Sequence, residues 1–185
     1  MTGTDPAVPP ALAQHWRAKA TGRAPPAKYI AVYETPFGRD QGLSGEARSA
    51  RGPLGEIHDA SMPGGSAALF GFFGVPAHVR QSVSEGELRA HCRAQLARLF
   101  GSQAATPKVE FIKDWALEPY TATAADLDGM GQHAEAPATT ATAGPWSGRL
   151  TGIASEWSPQ FAGYVAGAVE AASLGVEGWL ALAVR

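Results

Sequence analysis

The sequence predicts an α+β fold, strands first and helices later, closed by a carboxy-terminal strand and helix. Three observations carry this expectation. Strand-like segments gather in the first half of the chain, and helical patterns are interleaved late. The chain holds 22 Gly and 14 Pro, which suits a loop-rich mixed fold better than a helical bundle. Its 185 residues are 45% hydrophobic and 17% charged, enough apolar side chain to build the core of one ordinary domain.

The elements follow in order. Residues 1–26 are rich in Ala and Pro, with one short amphipathic stretch around Leu12–Ala20. Ala27–Glu34 (AKYIAVYE) alternates in polarity and is stopped by Pro36, as a strand should be. Leu54–Asp59 and Ala67–Phe73 are two further strands separated by the turn-forming Pro63-Gly64-Gly65. The spacing then predicts a helix over 84–100. Ser84 is its N-cap, Glu87 completes a capping box, and Val83 is placed to staple onto Leu88. Leu88, Cys92, Leu96 and Leu99 form one apolar stripe, and Gly101 ends the helix. Cys92 lies on that stripe and reads as a small buried hydrophobe. Val109–Lys113 is a strand ending at Asp114-Trp115, and Thr121–Gly144 is a run of Ala, Thr and Gly, either a surface loop or a mobile segment. A short strand around Arg149–Ile153 and a helix over about Ala162–Ala172 complete the chain.

Charge and motif content exclude several function classes. Lys+Arg 15 against Asp+Glu 17 gives a net charge of −2, so there is no basic excess to neutralise a phosphate backbone, and nucleic acid is not an expected partner. A single cysteine rules out an internal disulfide framework, and the histidines at 15, 58, 78, 91 and 133 show no metal-ligand spacing, so no metal is expected. Neither a G-x-S-x-G elbow, nor a phosphate-binding G-x-x-x-x-G-K-[ST] loop, nor a G-x-G-x-x-G fingerprint is present. The amino terminus lacks a secretory signal pattern. The most apolar stretch, Phe161–Val184, is interrupted by Glu170 and Glu177, whereas a spanning helix needs about 20 predominantly apolar residues. No membrane association and a cytoplasmic location are expected.

Three features rise above this background. Lys28 opens an apolar strand; it is either an edge lysine that blocks aggregation or a lysine aimed into a cavity. Residues 154–167 (ASEWSPQFAGYVAG) run from a strand end into a helix opening with Gly163 and Gly167, which reads either as a close helix packing or as a helix amino end offering free N–H groups. Trp115, Tyr120, Trp157 and Tyr164 either line an apolar pocket or fill a core.

Read together in order, these blocks resemble the carboxy-terminal portion of the flavin-dependent amine oxidases, in the monoamine-oxidase-like branch. The matching blocks run through nearly the whole chain: PPAL at 9–12, Lys28 followed by AVYETPFGRDQGLSGEARS, DAS at 59–61, ALFGFFGV at 68–75, QLARLFG at 95–101, DWALEPYTATAAD at 114–126 and ASEWSPQFAGYVAGAVEAA at 154–172. The last is similar to the family's GTETSPQFGGYLEGALRAA. The resemblance implies a substrate-binding domain over 1–147, built as a mixed β-sheet with covering helices, and, over 148–185, the carboxy-terminal strand and helix of an FAD-binding domain. It implies oxidation of a small amine at its α-carbon, with a hydride equivalent passing to flavin and O₂ reoxidation giving hydrogen peroxide. Lys28 falls on the family's lysine that holds a water near flavin N5. Tyr164 falls on one wall of the aromatic cage around the substrate amine, and Tyr120 and Trp115 fall near the flavin face. Ser155 and Glu156 fall on the carboxy-terminal flavin-contact strand, and the helix beginning near Ala162, with Gly163 at its opening, aims its positive end at the flavin pyrimidine ring, favouring the anionic reduced ring.

Departures from the family pattern qualify what is implied. Ala124 stands where covalent family members carry cysteine, so any FAD is expected to be non-covalent. The second cage wall falls near Ala125, Gly38 replaces the tryptophan of PFWR, Ala154 replaces the glycine of GTE, and Ala166 replaces the glutamate of GYLEG. The dinucleotide fingerprint is absent from the 185 residues, so the chain alone is expected to have lost most FAD affinity and to be inactive. A separate flavin-domain chain or a homodimer is the expected partner, with the helix at 162–172 presenting an exposed apolar face. The competing expectation is a non-catalytic remnant that binds a small molecule or a protein.

Overall fold

The computed structural model describes residues 6–18, 27–118, 121–122 and 136–183. The chain divides into two compact units, one formed by 25–117 and the other by 1–24 with 118–185.

In the 25–117 unit the alternation of small and large apolar residues builds a sheet. β1 (Ala27–Tyr33) buries Ala27, Tyr29, Ala31 and Tyr33 and turns Lys28, Ile30 and Val32 to the other face. After a short helix, α2 (Phe37–Asp40), come β2 (Ala47–Arg48), β3 (Leu54–Asp59), β4 (Ala67–Phe73), α3 (Ala77–Gln81), α4 (Glu85–Phe100) and β5 (Val109–Asp114). Among the described residues these strands form one five-stranded sheet in the order β2-β3-β4-β1-β5. Every pairing in it is antiparallel, which corrects the mixed sheet that the resemblance implied. The connections explain this. The short turn at Pro63-Gly64 can only reverse the chain, and the α3–α4 excursion carries it from β4 across β1 to β1's far side.

Because α4 lies in that crossover, it covers one face of the sheet. Leu88, Cys92, Leu96 and Phe100 meet Tyr29, Tyr33, Leu54, Ile57, Leu69 and Phe73 in a single core. The expected cap is present: the Ser84 hydroxyl accepts from the Glu87 N–H, and the Glu87 carboxylate accepts from the Ser84 N–H at 2.9 Å. Those bonds hold the Glu87 carboxyl below the usual range. Gln95 has a role that its polarity alone did not suggest. It is buried, its amide oxygen accepts from the Leu54 N–H at 2.8 Å, and its amide nitrogen donates to the Leu54 carbonyl at 2.6 Å. β2 pairs only with Glu56 and Ile57, so Gln95 supplies the partner that a longer edge strand would give Leu54.

Two polar networks, one partly buried and one almost wholly buried, complete this unit. The Tyr29 hydroxyl donates to Glu110 at 2.6 Å, and Arg93 of α4 pairs with the other Glu110 oxygen at 2.7 Å. The Arg80 guanidinium, almost wholly buried, donates twice to Asp114 at 2.7 and 2.9 Å and once to the Val75 carbonyl. Burial, reinforced by the Glu110 carboxylate, pushes the Cys92 thiol up to about 12. Native Cys92 should therefore resist iodoacetamide at pH near 8 and react once the chain is unfolded. Stoichiometric alkylation of the folded protein, followed by mass spectrometry, would contradict that placement.

The second unit holds α1 (Pro10–Ala18) and a long helix, α5 (Val165–Ala183). The strand expected around Arg149–Ile153 is reduced to an isolated bridge between Thr140 and Thr151. The final helix is displaced from the expected 162–172. Gly163 has φ +80, a conformation outside the right-handed helix, so α5 starts only after it. Beyond residue 172, Ala, Leu and Val continue the helix through Gly175 and Gly178. Residues Val165–Leu182, with mean hydropathy 1.3, are long and apolar enough to cross a membrane by length and composition alone. Val165, Val169, Val176 and Trp179 are each more than half exposed.

Candidate functional site

The sheet face opposite α4 is assembled by cross-strand register. Lys28 lies opposite Phe72 of β4 and Lys113 of β5, and Ile30 lies opposite Phe70 and Phe111. One strand further out, Glu56 faces Phe72 and His58 faces Phe70. β1 is flanked on both sides, so Lys28 sits on an interior strand and the edge-lysine alternative is excluded. Its Nζ lies 5.8 and 5.7 Å from the ring centroids of Phe70 and Phe72, which meet each other edge to face at 4.7 Å. The His58 ring borders the same pair, and its Nε2 lies 3.0 Å from Glu56. Trp115 opens a short 3₁₀ turn directly after β5, where the Lys113 Nζ lies 4.9 Å from its ring. The titratable groups of the α4 face are in a different condition: burial first, then Glu110, holds the Tyr29 phenol far above its usual range. The open chemistry of this unit is on the Lys28 face.

The other expected residues belong to the second unit. Ser155 and Glu156 lie in a 3₁₀ turn, Ser155–Trp157, and not on the strand expected for them; the Ser155 carbonyl accepts from the N–H groups of Ser158 and Gly163 and so folds the segment back on itself. Ala154 has φ −85, an extended conformation open to any residue, so its methyl introduces no backbone strain where the family has glycine. Ser158 is buried; its hydroxyl donates to Glu170 and accepts from the Phe161 N–H at 2.8 Å, while Glu170 also accepts from the Gln160 N–H. Glu170 thus ties the loop to the second turn of α5. Gly167 permits that closeness, since a Cβ there would fall 2.1 Å from the Phe161 carbonyl oxygen. Tyr164, immediately before α5, is 58% exposed. Trp157 meets Trp16 edge to face at 5.5 Å, and its buried indole N–H has no partner among the described residues.

The structure therefore brings Lys28, Phe70, Phe72, Lys113 and Trp115 onto one part of the first unit, and Ser155, Glu156, Gly163 and Tyr164 onto one segment of the second. Tyr120, Ala124 and Ala125 lie outside the described residues. Sequence reasoning missed Phe70, Phe72 and His58. The period-2 pattern of ALFGFF places Phe70 and Phe72 on one face, but only the register sets that face beside Lys28.

Part of this donor set fits a flavin. The amino end of α5 offers main-chain N–H groups and a positive dipole end to an electron-rich ring edge, and Ser155 and Glu156 supply polar side chains just before it. A glycine-rich cradle for the pyrophosphate is not among the 185 residues.

Comparison with known proteins agrees with this reading. The family described as flavin containing amine oxidoreductase matches residues 4–175. The probable flavin-containing monoamine oxidase A of Dictyostelium discoideum is 29% identical over 154 residues, covering 77% of this chain and 31% of that protein. The putrescine oxidase of Kocuria rosea is 32% identical over 127 residues, covering 60% of this chain and 25% of that protein. The solved structure of wild-type putrescine oxidase bound to putrescine matches 97% of this chain at a TM-score of 0.71 and 25% identity, and this chain covers 39% of it. The chain thus spans between a quarter and two-fifths of the length of these relatives. Its fold, motif order and matched span place it in one family: the chain belongs to the flavin containing amine oxidoreductases.

Proposed function

We propose that this chain supplies the lysine-bearing wall and the carboxy-terminal flavin contact of an FAD-dependent amine oxidase, completed by a dinucleotide-binding portion. The observation that carries the reading is Lys28: by resemblance it falls on the family's lysine, and it stands half-buried on an interior strand, on the sheet face away from the helical core. The chemistry supplied with a bound flavin is two-electron oxidation of a small amine at its α-carbon, with hydrolysis of the imine and reoxidation by O₂ to hydrogen peroxide. Within it, the Lys28 ammonium donates a hydrogen bond to a water and holds it at the reacting centre. Ile30, Val32, Phe70 and Phe72 give that water an apolar wall, which strengthens the ammonium's field. Tyr164 offers a π face to the substrate amine. Ser155, Glu156 and the first N–H groups of α5 bind the polar edge of the ring. The FAD is held non-covalently.

A second reading, the non-catalytic remnant, is favoured by Gly38. Where the family has tryptophan, a Cβ would meet only Leu43 at 3.8 Å, and Gly38 borders a cavity of about 20 Å³ lined by Tyr33, Phe37, Leu69 and Phe100. One measurement separates the two readings. Isolated from its source cells in its native assembly, the protein should show a flavin absorption spectrum and form peroxide on addition of primary amines, while residues 1–185 alone should be colourless. A native assembly without flavin would overturn the oxidase reading and leave the remnant.

A further inference from the structure

We propose that Phe70 and Phe72 are positioning residues for Lys28, and that Trp115 serves the same arrangement by drawing Lys113 aside. The inference rests on the reading of Lys28 as the lysine that acts beside the flavin. A lysine carries its charge on a flexible four-carbon stem, so occupying an interior strand does not by itself fix where the ammonium lies. Lys28 has a further difficulty, because Lys113 stands directly opposite it in the β1–β5 register and like charges in that relation repel. Among the described residues no carboxylate pairs with the Lys28 ammonium. Its attractive partners are the rings of Phe70 and Phe72, within the range over which a ring quadrupole attracts a cation. Lys113 lies 4.9 Å from the Trp115 ring centroid on the strand beyond. Each ammonium group thus has an aromatic partner of its own. The phenyl pair is itself held: Phe70 and Phe72 lock edge to face, and His58 meets Phe72 edge-on from β3. Aromatic partners suit a lysine that must donate to a water, because they orient the charge without occupying its N–H donors as a carboxylate would.

The test reads the position of the ammonium directly. The lysines of the 185-residue chain are reductively methylated with ¹³C-formaldehyde, and the Lys28 methyl signal is identified as the one missing from Lys28→Met. A charge held over two ring faces should give a Lys28 signal upfield of Lys108, whose partner is the exposed carboxylate of Glu34. Phe72→Leu and Phe70→Leu should each return it toward the Lys108 position, while Phe72→Tyr, which keeps a ring, should leave it upfield. A native Lys28 signal at the Lys108 position would overturn the proposal, as would a shift that survives both leucine variants. Should Phe72→Leu fail to fold, the native spectrum with Phe70→Leu and Phe72→Tyr still decides the matter. The spectrum requires no flavin, so its failure leaves amine oxidation to the peroxide measurement, and a missing peroxide signal leaves the ring-current result standing.

Discussion

Replacing Lys28 with methionine in the flavin-loaded native assembly should slow amine-dependent flavin turnover by about 10²-fold, the scale of losing one positioned proton-handling group. Methionine keeps most of the lysine stem, so the loss falls on the ammonium and on the water it holds. Thermal unfolding should therefore move little. Rapid-mixing absorbance would resolve flavin reduction from reoxidation, and the defect should appear in one of these steps without a matching rise in the amine concentration needed for half-saturation. Turnover equal to the parent, in a variant that still carries flavin, would remove Lys28 from the reaction.

Asp114→Ala should destabilise the fold by about 3–5 kcal/mol, the usual consequence of removing one partner of a buried ion pair. The Arg80 side chain is 2% exposed and would keep its charge with both hydrogen bonds to Asp114 gone; Asp114 also accepts from the Ala116 N–H, which anchors the turn bearing Trp115. The double variant Arg80→Leu with Asp114→Leu should recover much of the loss, since an apolar pair of similar volume avoids stranding a charge. Urea unfolding monitored by circular dichroism measures both. A loss below about 1 kcal/mol would mean that the pair behaves like one at the surface, and that its burial does not matter.

Local physics made much of the first unit readable. β1, β3, β4, β5 and the Ser84-capped α4 each carry a periodicity or a cap that acts over a few residues, and each lies where the spacing sets it. Strand direction and order were not readable, because alternation says which face a side chain occupies and nothing about its neighbour. Hence the sheet is antiparallel throughout, and hence Phe70, Phe72 and Lys113 became companions of Lys28 only through register. The two-residue β2 is too short to leave a pattern, so the role of Gln95 as a surrogate strand was hidden as well. At the other end of the chain, the φ of +80 at Gly163 set the start of α5, and a glycine in a sequence does not announce which conformation it takes. Ser155 and Glu156 were found as a motif, while the 3₁₀ turn that holds them depends on main-chain bonds to the Ser155 carbonyl.

The strand order also has a consequence in time. β1 leaves the ribosome before any other strand of the sheet, yet both of its neighbours, β4 and β5, are made later, and β5 is the last strand to arrive. Its pairings are all of long sequence separation, the kind that close slowly because loop entropy is lost before contacts reward it. During synthesis Lys28 and its apolar flank therefore wait, unpaired on both edges until Ala67–Phe73 has emerged and on one edge until Val109–Asp114 has. Interruption of translation before that point would release a chain with an open hydrophobic strand, a substrate for chaperones or for aggregation.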